Sequence, residues 1–193
     1  MSIAIVALGI GVNAALFTIV RAVLLTPLPF KDSQSLVRLY EDTFDHKFPF
    51  NQSAAGMFAE WERQSHGFAG MAIRGDATYD LSGSEGQLPE TVHAATFSSS
   101  MLPLLGVQPA LGRNFSATDD TPSASGTVIL SWGLWTRRFG GDRSVLGHSI
   151  LLDASPYTVI GVMPSWFTYP DSTVQLWAAR LDCSWRSASS GGS

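Results

Sequence analysis

The chain has 193 residues, of which 45% are hydrophobic and only 15% charged, and its formal net charge is -4. A nucleic-acid-binding surface requires a basic patch, so this charge balance argues against that class of function. The single cysteine, Cys183, cannot form an internal disulfide and indicates no redox compartment. Apart from an apolar N-terminal segment, the remaining length is typical of one domain, or of two small ones.

The N-terminal segment predicts a transmembrane helix over residues 1–25. Ile3 to Val20 carries no charged side chain, and the apolar run continues beyond Arg21 to Leu25. A helix needs roughly 20 mostly apolar residues to cross a bilayer. A cleaved signal peptide is the alternative, but no Lys or Arg precedes Ile3 and the run exceeds the roughly 7–15 apolar residues of such peptides. We therefore expect a retained helix.

This helix has a face of small residues formed by Ala7, Gly11 and Ala15, which recur every fourth position. Small residues at that spacing allow two membrane helices to approach closely. Asn13 needs a hydrogen-bonding partner within the membrane, which also favours packing against other helices. The alternative is that Ala and Gly are simply common in membrane helices. The face predicts helix packing within a permease, and it is also compatible with a homo-oligomer.

The orientation of the helix is ambiguous from charge alone. Positive residues normally stay on the cytoplasmic side, and the nearby ones, Arg21 and Lys31, lie on the domain side of the helix. Taken alone, they would place the domain inside the cell. The missing basic flank before Met1 leads us to expect instead that the sequence is a piece of a longer protein.

Pro27 and Pro29 end the helix, and residues 26–35 are expected to be a linker. Residues 36–180 come next as the folded domain, with a hairpin turn predicted over 153–156. The predicted strands, in chain order, are 36–40, 71–74, 78–81, 90–96, 127–130, 149–152, 157–162 and 174–178. The predicted helices are 54–64 after Ser53, 101–105 after Ser98 or Ser99, and 132–139 before Gly140.

The order of these elements is not a regular alternation of strands and helices. An α+β domain is therefore expected rather than a doubly wound one. Residues 181–193 are rich in Ser and Gly, so this tail is expected to be disordered or to be an aberrant end.

No constellation for catalysis, cofactor binding or metal binding is expected. The four histidines are spread along the chain without metal-ligand spacing: His46, His66, His93 and His148. Asp119 and Asp120 are neighbours on a loop, and a calcium site needs more oxygens at fixed offsets. The chain has no P-loop and no G-x-S-x-G turn. The aromatic set is expected to be core rather than a ligand cage: Trp61, Phe68, Trp132, Trp135, Phe139, Trp166 and Phe167.

Several stretches together resemble FtsX-like ABC transporter permeases. The segment from Leu8 to Phe17, running into Ala22 to Phe30, is similar to their first membrane helix, and the rest of the chain resembles their MacB-like periplasmic core domain. The supporting stretches are 36–39, 58–61, 105–115, 128–131, 134–141 and 157–164. Each motif alone is weak, but their order along the chain is specific.

This resemblance implies a permease subunit of the bacterial inner membrane with an extracytoplasmic domain. In that family a separate cytoplasmic ATPase drives the membrane helices, and their motion is passed to the external domain to expel a substrate. The family has further membrane helices after the domain, and residues 181–193 do not resemble that continuation, so a truncated member is expected. The alternative function is a single-pass anchored domain that binds or senses a partner. An anchored enzyme is the least supported hypothesis.

Overall fold

The computed structural model describes residues 35–39, 64–83, 87–121 and 125–179. The predicted membrane helix, most of the linker, the predicted helix 54–64 except its last residue, and the tail 181–193 lie outside these ranges. The chain divides into two compact units, Met1–Val37 and Arg38–Ser193, and every element below belongs to the second. Among the described residues there is no helix long and apolar enough to cross a membrane.

The described part of the domain contains strands and short helices in an irregular order, which confirms the α+β class. The strands are β1 (Arg74–Leu81), β2 (Glu90–Phe97), β3 (Leu111–Gly112), β4 (Gly126–Leu130), β5 (Ser149–Leu152), β6 (Ser155–Val162) and β7 (Leu176–Ala178). The helices are α1 (Met101–Leu105), α2 (Trp132–Phe139) and a 3-10 turn, Arg143–Val145.

The strands form one sheet in the order β3-β6-β4-β7-β2-β1-β5. Strand β5 also pairs with β6, so the sheet closes on itself as a barrel from which β3 projects. The pairs β2–β7 and β4–β6 are parallel, and the remaining pairs are antiparallel. Closure leaves few free strand edges, which protects the sheet from pairing with other chains.

Apolar side chains pack on both faces of this sheet because successive strand residues alternate between faces. On β4, Val128 and Leu130 belong to the interior core, which the α2 side chains Leu134 and Trp135 also join. Ile129 lies between them in the strand and is paired with Trp177 of β7. Trp177 is fully buried and contacts the rings of Phe97 and Phe167, so an aromatic cluster fills the other face.

Helix α2 and the β5–β6 hairpin confirm the predictions closely. The hydroxyl of Ser131 accepts a hydrogen bond from the Leu134 amide at 3.1 Å and caps α2, and Gly140 ends it with φ 62°. The hairpin turn is Asp153-Ala154, with φ 49° and 60°. Positive φ at both central residues is the turn that matches the twist of two paired strands.

Two strand predictions are wrong. Leu36 to Leu39 is not a strand, although its apolar residues alternate, because its side chains are not buried and no described strand pairs with it. The predicted strands 71–74 and 78–81 are a single strand, β1, because Gly75, Asp76 and Ala77 continue the ladder with β2.

The predicted caps of α1 are also wrong. Ser100 occupies the N-cap position and makes no side-chain capping bond. The hydroxyl of Ser98 instead accepts a hydrogen bond from the Ile73 amide at 3.1 Å. This bond ties the end of β2 to the residue preceding β1, and the predicted capping serine is therefore used in a tertiary contact.

The aromatic prediction is correct in part. Trp135 and Phe167 are buried, and Phe139 is partly buried against the interior core. The prediction is wrong for Phe68, Trp132 and Trp166, which are 43%, 39% and 51% exposed. Trp61 lies outside the described residues.

Candidate functional site

An open polar cleft of about 310 Å³ lies where β1 and β2 meet the segment before β7. The amide of Gln175 donates to the His93 carbonyl at 2.8 Å and holds this segment against β2. The lining residues are Asp76, Ala77, Thr78, His93, Ala94, Asp171, Thr173 and Val174. The cleft therefore combines side chains from three separate parts of the chain.

Asp171 is fixed in the cleft by its own loop. Its carboxylate accepts hydrogen bonds from the Thr173 hydroxyl and, at 2.8 Å, from the Thr173 amide. These two bonds lower the pKa of Asp171, and the nearby Arg74 and His93 act in the same direction. Arg74 also forms an ion pair with Asp76. The result is an ionised carboxylate with cationic neighbours and an exposed imidazole close by.

The chemistry of the cleft is that of recognition. Its carboxylates, hydroxyls and imidazole can hydrogen-bond a polar ligand, and the Thr173 hydroxyl is directed to Asp171 of its own loop. Within residues 35–39, 64–83, 87–121 and 125–179, no three His, Cys, Asp or Glu side chains are placed to hold a metal ion. The arrangement thus fits the binding of a polar group better than its chemical conversion.

Sequence reasoning misses most of this cleft. It identifies His93 only as one of four scattered histidines, and it does not single out Asp76, Asp171 or Thr173. The pattern Asp171-Ser172-Thr173 after Pro170 is a turn signal that marks a local carboxylate hydrogen bond. That signal does not reveal that the turn lies against β1 and β2, since this contact depends on the pairing of β7 with β2.

The other predicted positions do not gather into a site. Ala7, Gly11, Ala15 and His46 lie outside the described residues. His66 and His148 are exposed and do not line the cleft.

Asp119 and Asp120 point to different partners, as expected of neighbours on a loop. Asp119 accepts from both terminal nitrogens of Arg113, at 2.7 and 3.1 Å, and Asp120 accepts from the Ser99 amide at 2.7 Å. Together these bonds hold the loop after β3 closed and join it to the start of α1.

The environment of Asp119 favours its ionised form. The hydrogen bonds from Arg113 contribute most, the amide and hydroxyl of Ser116 add to them, and burial opposes them. Together they lower the pKa of Asp119 from 3.8 to about 2. The same pairing raises the pKa of Arg113. This is a structural ion pair that stabilises the loop.

Exposed tryptophans lie at one edge of the sheet. Trp132 follows β4 and Trp166 follows β6, and these two strands are parallel neighbours whose ends, Leu130 and Val162, are paired. Each ring contacts a buried aromatic neighbour edge-on, Trp135 at 4.9 Å and Phe167 at 6.0 Å between ring centroids. Both indoles are thus anchored at one side and reachable from solvent at the other.

A family model described as MacB-like periplasmic core domain matches residues 1–186. No curated protein matches the chain significantly. The fold is similar to the periplasmic region of MacB from Actinobacillus actinomycetemcomitans, at 15% identity and TM-score 0.53 over 72% of this chain and 62% of that one.

It is also similar to the extracellular domain of the noncanonic ABC-type transporter YknZ from Gram-positive bacteria, at 16% identity and TM-score 0.50. That match covers 62% of this chain and 59% of the YknZ domain. The chain therefore spans about three fifths of each solved domain, and identities this low establish a shared fold and nothing further.

Proposed function

The chain belongs to the MacB-like periplasmic core domain family, and from this membership we propose that it is part of the permease subunit of an ABC-type export system. The domain lies outside the cytoplasm in this proposal and couples the motion of membrane helices to substrate efflux. The observation that carries the proposal is the extent of the family match, which runs from residue 1 to residue 186 and takes in the apolar segment as well as the domain.

The proposed organisation has four parts: a transmembrane helix (1–25), a linker (26–35), the core domain (36–180) and a tail (181–193). The helix anchors the chain in the bacterial inner membrane. The uncharged run from Ile3 to Val20 supports this assignment, since charged side chains are costly within a bilayer.

The barrel suits a coupling role because its interior is close-packed. Side chains such as Val128, Leu130, Val159 and Leu176 are fully buried, and close-packed interiors have low compressibility and transmit strain. A displacement applied to one side of such a domain therefore moves the whole domain instead of being absorbed within it.

A separate cytoplasmic ATPase supplies the energy in this proposal, and the chain itself is not an enzyme and needs no cofactor. Ala7, Gly11 and Ala15 would pack against other permease helices or against a second copy of the chain. The small side chains at these positions support close helix contact.

A second candidate function is a single-pass anchored domain that binds or senses a polar ligand. The polar cleft favours this alternative, because Asp171 is held ionised there beside His93 and Arg74. The two functions predict different partners, an ATPase in one case and a small polar ligand in the other.

Purification of the tagged full chain in mild detergent separates these functions. We expect ATP hydrolysis to co-purify with the chain and to fall when Gly11→Leu disrupts helix packing. His93→Ala in the cleft is the control and should leave the co-purified hydrolysis unchanged. A chain that never brings down ATP hydrolysis would contradict the permease proposal.

A further inference from the structure

We propose that the barrel has a built-in opening point, the seam between β1 and β5, which separates while the other ladders stay paired. The seam contains one residue pair, Leu81 with Leu152. Every other ladder of the ring is longer: eight pairs join β1 and β2, five join β4 and β6, four join β5 and β6, and three each join β7 to β2 and to β4. This inference does not depend on the proposed function.

Few hydrogen bonds hold the seam. Two backbone bonds flank the residue pair, from the Ser82 amide to the Leu151 carbonyl and from the Asp153 amide to the Asp80 carbonyl, both at 3.0 Å. The third bond comes from a side chain, because the Asp153 carboxylate accepts from the Asp80 amide at 2.8 Å. The turn residue Asp153 is exposed, so water competes for all of its bonds.

The seam is closed at rest because apolar side chains meet behind it. Leu81 and Leu152 are 2% and 0% exposed and belong to the interior core. Separation would expose both of them to water, which opposes opening. The open state is therefore a minor local opening of the kind that native-state hydrogen exchange detects.

The β1 side of the seam is fixed, so the moving part is β5 and its turn. Arg138 of α2 donates to the carbonyl of Ser82 at 3.3 Å and to that of Leu88 at 2.8 Å. These bonds anchor the loop after β1 to α2. Gln87 strengthens the same anchor by donating to the Arg138 carbonyl at 3.0 Å. Among the described residues, the side chain of Asp153 bonds only across the seam.

Hydrogen exchange of the full chain in detergent micelles, resolved by residue, tests this inference. We expect the amides of Asp80, Ser82 and Asp153 to exchange at least about tenfold faster than the paired amides in the middle of β1–β2. Seam amides that are protected as strongly as those of the β1–β2 ladder would overturn the inference.

A matched pair of variants isolates the bond made by the turn. Asp153→Gly and Asp153→Asn both tolerate positive φ, but only asparagine keeps an acceptor oxygen. Asp153→Gly should speed exchange of the Asp80 and Ser82 amides about fivefold and leave β4–β6 unchanged. Asp153→Asn should behave like the original chain. Equal acceleration of all ladders by Asp153→Gly would overturn the inference.

Thiol labelling gives a second readout that does not use Asp153. In a Cys183→Ser background, Leu152→Cys probes the seam and Leu130→Cys is the control, since both leucines are 0% exposed in the same core. Leu130 lies on β4, which is paired on both sides. We expect Leu152→Cys to react at least about tenfold faster, and equal rates would contradict opening at the seam.

Discussion

Removing the charge of Asp119 should destabilise the domain in a pH-dependent way. Asp119 is 8% exposed and accepts four hydrogen bonds, two from Arg113 and two from Ser116. Asp119→Asn keeps the shape of the side chain but removes its charge. The variant therefore measures the ionic part of the contact and leaves no large cavity.

The expected cost of Asp119→Asn follows from the pKa. A fall from 3.8 to about 2 corresponds to roughly 2 kcal/mol, at about 1.4 kcal/mol per pH unit. The Arg113 side chain is 53% exposed, so solvent screening reduces this value. We expect the free energy of unfolding to fall by about 1–2 kcal/mol at pH 7.

The pH dependence has a definite sign. Because the pKa of Asp119 is lower in the folded state, its contribution is fully present above pH 3.8 and is lost as the pH falls towards 2. The difference between Asp119→Asn and the original chain should therefore shrink to about half at pH 3 and be mostly gone at pH 2.

Urea unfolding followed by tryptophan fluorescence, at pH 7, 5, 3 and 2, measures this difference. Asp120→Asn is the matched control, because Asp120 is exposed and its bond from the Ser99 amide is a neutral donor's rather than an ion pair. The reasoning would be refuted if Asp119→Asn cost no more than Asp120→Asn at pH 7, or if its cost stayed constant down to pH 2.

Three further predictions concern the anchor on α2, the membrane helix and the domain. Arg138→Met should lower the free energy of unfolding by about 1–3 kcal/mol, because it leaves carbonyls of the β1–β2 loop without a donor. Arg137→Met, which loses only an exposed ion pair, should cost below about 1 kcal/mol in the same urea titration. Gly11→Leu should weaken helix association in an in-membrane assay, whereas Gly9→Leu on the opposite face should not; equal effects would remove the packing face. Residues 36–180 expressed alone should unfold cooperatively and resist protease, and digestion throughout would contradict an independent domain.

The local elements were predictable because short-range signals and long-range pairing agree for them. Helix α2 has a serine cap, an apolar stripe and a following glycine, and its predicted and observed bounds coincide. The β5–β6 hairpin joins two apolar runs through a short polar turn. In both cases the residues that define the element are neighbours in sequence.

The barrel closure and the cleft were not predictable for the opposite reason. Closure depends on Asp80 and Asp153, which are 73 positions apart, and on a ladder of one residue pair. Residues 36–39 failed as a strand since alternation describes a face but does not provide a partner. The cleft requires the parallel pairing of β2 with β7, which no local pattern signals.

The central claim, an anchored chain whose domain lies outside the cytoplasm, is tested most directly by labelling one thiol in cells. Ala117 is exposed on the loop after β3, so Ala117→Cys combined with Cys183→Ser provides a single reporter. A membrane-impermeant maleimide should label it in intact spheroplasts, and the labelled chain should stay in the membrane pellet after a carbonate wash. Labelling only after lysis, or recovery of the chain in the wash, would contradict the claim.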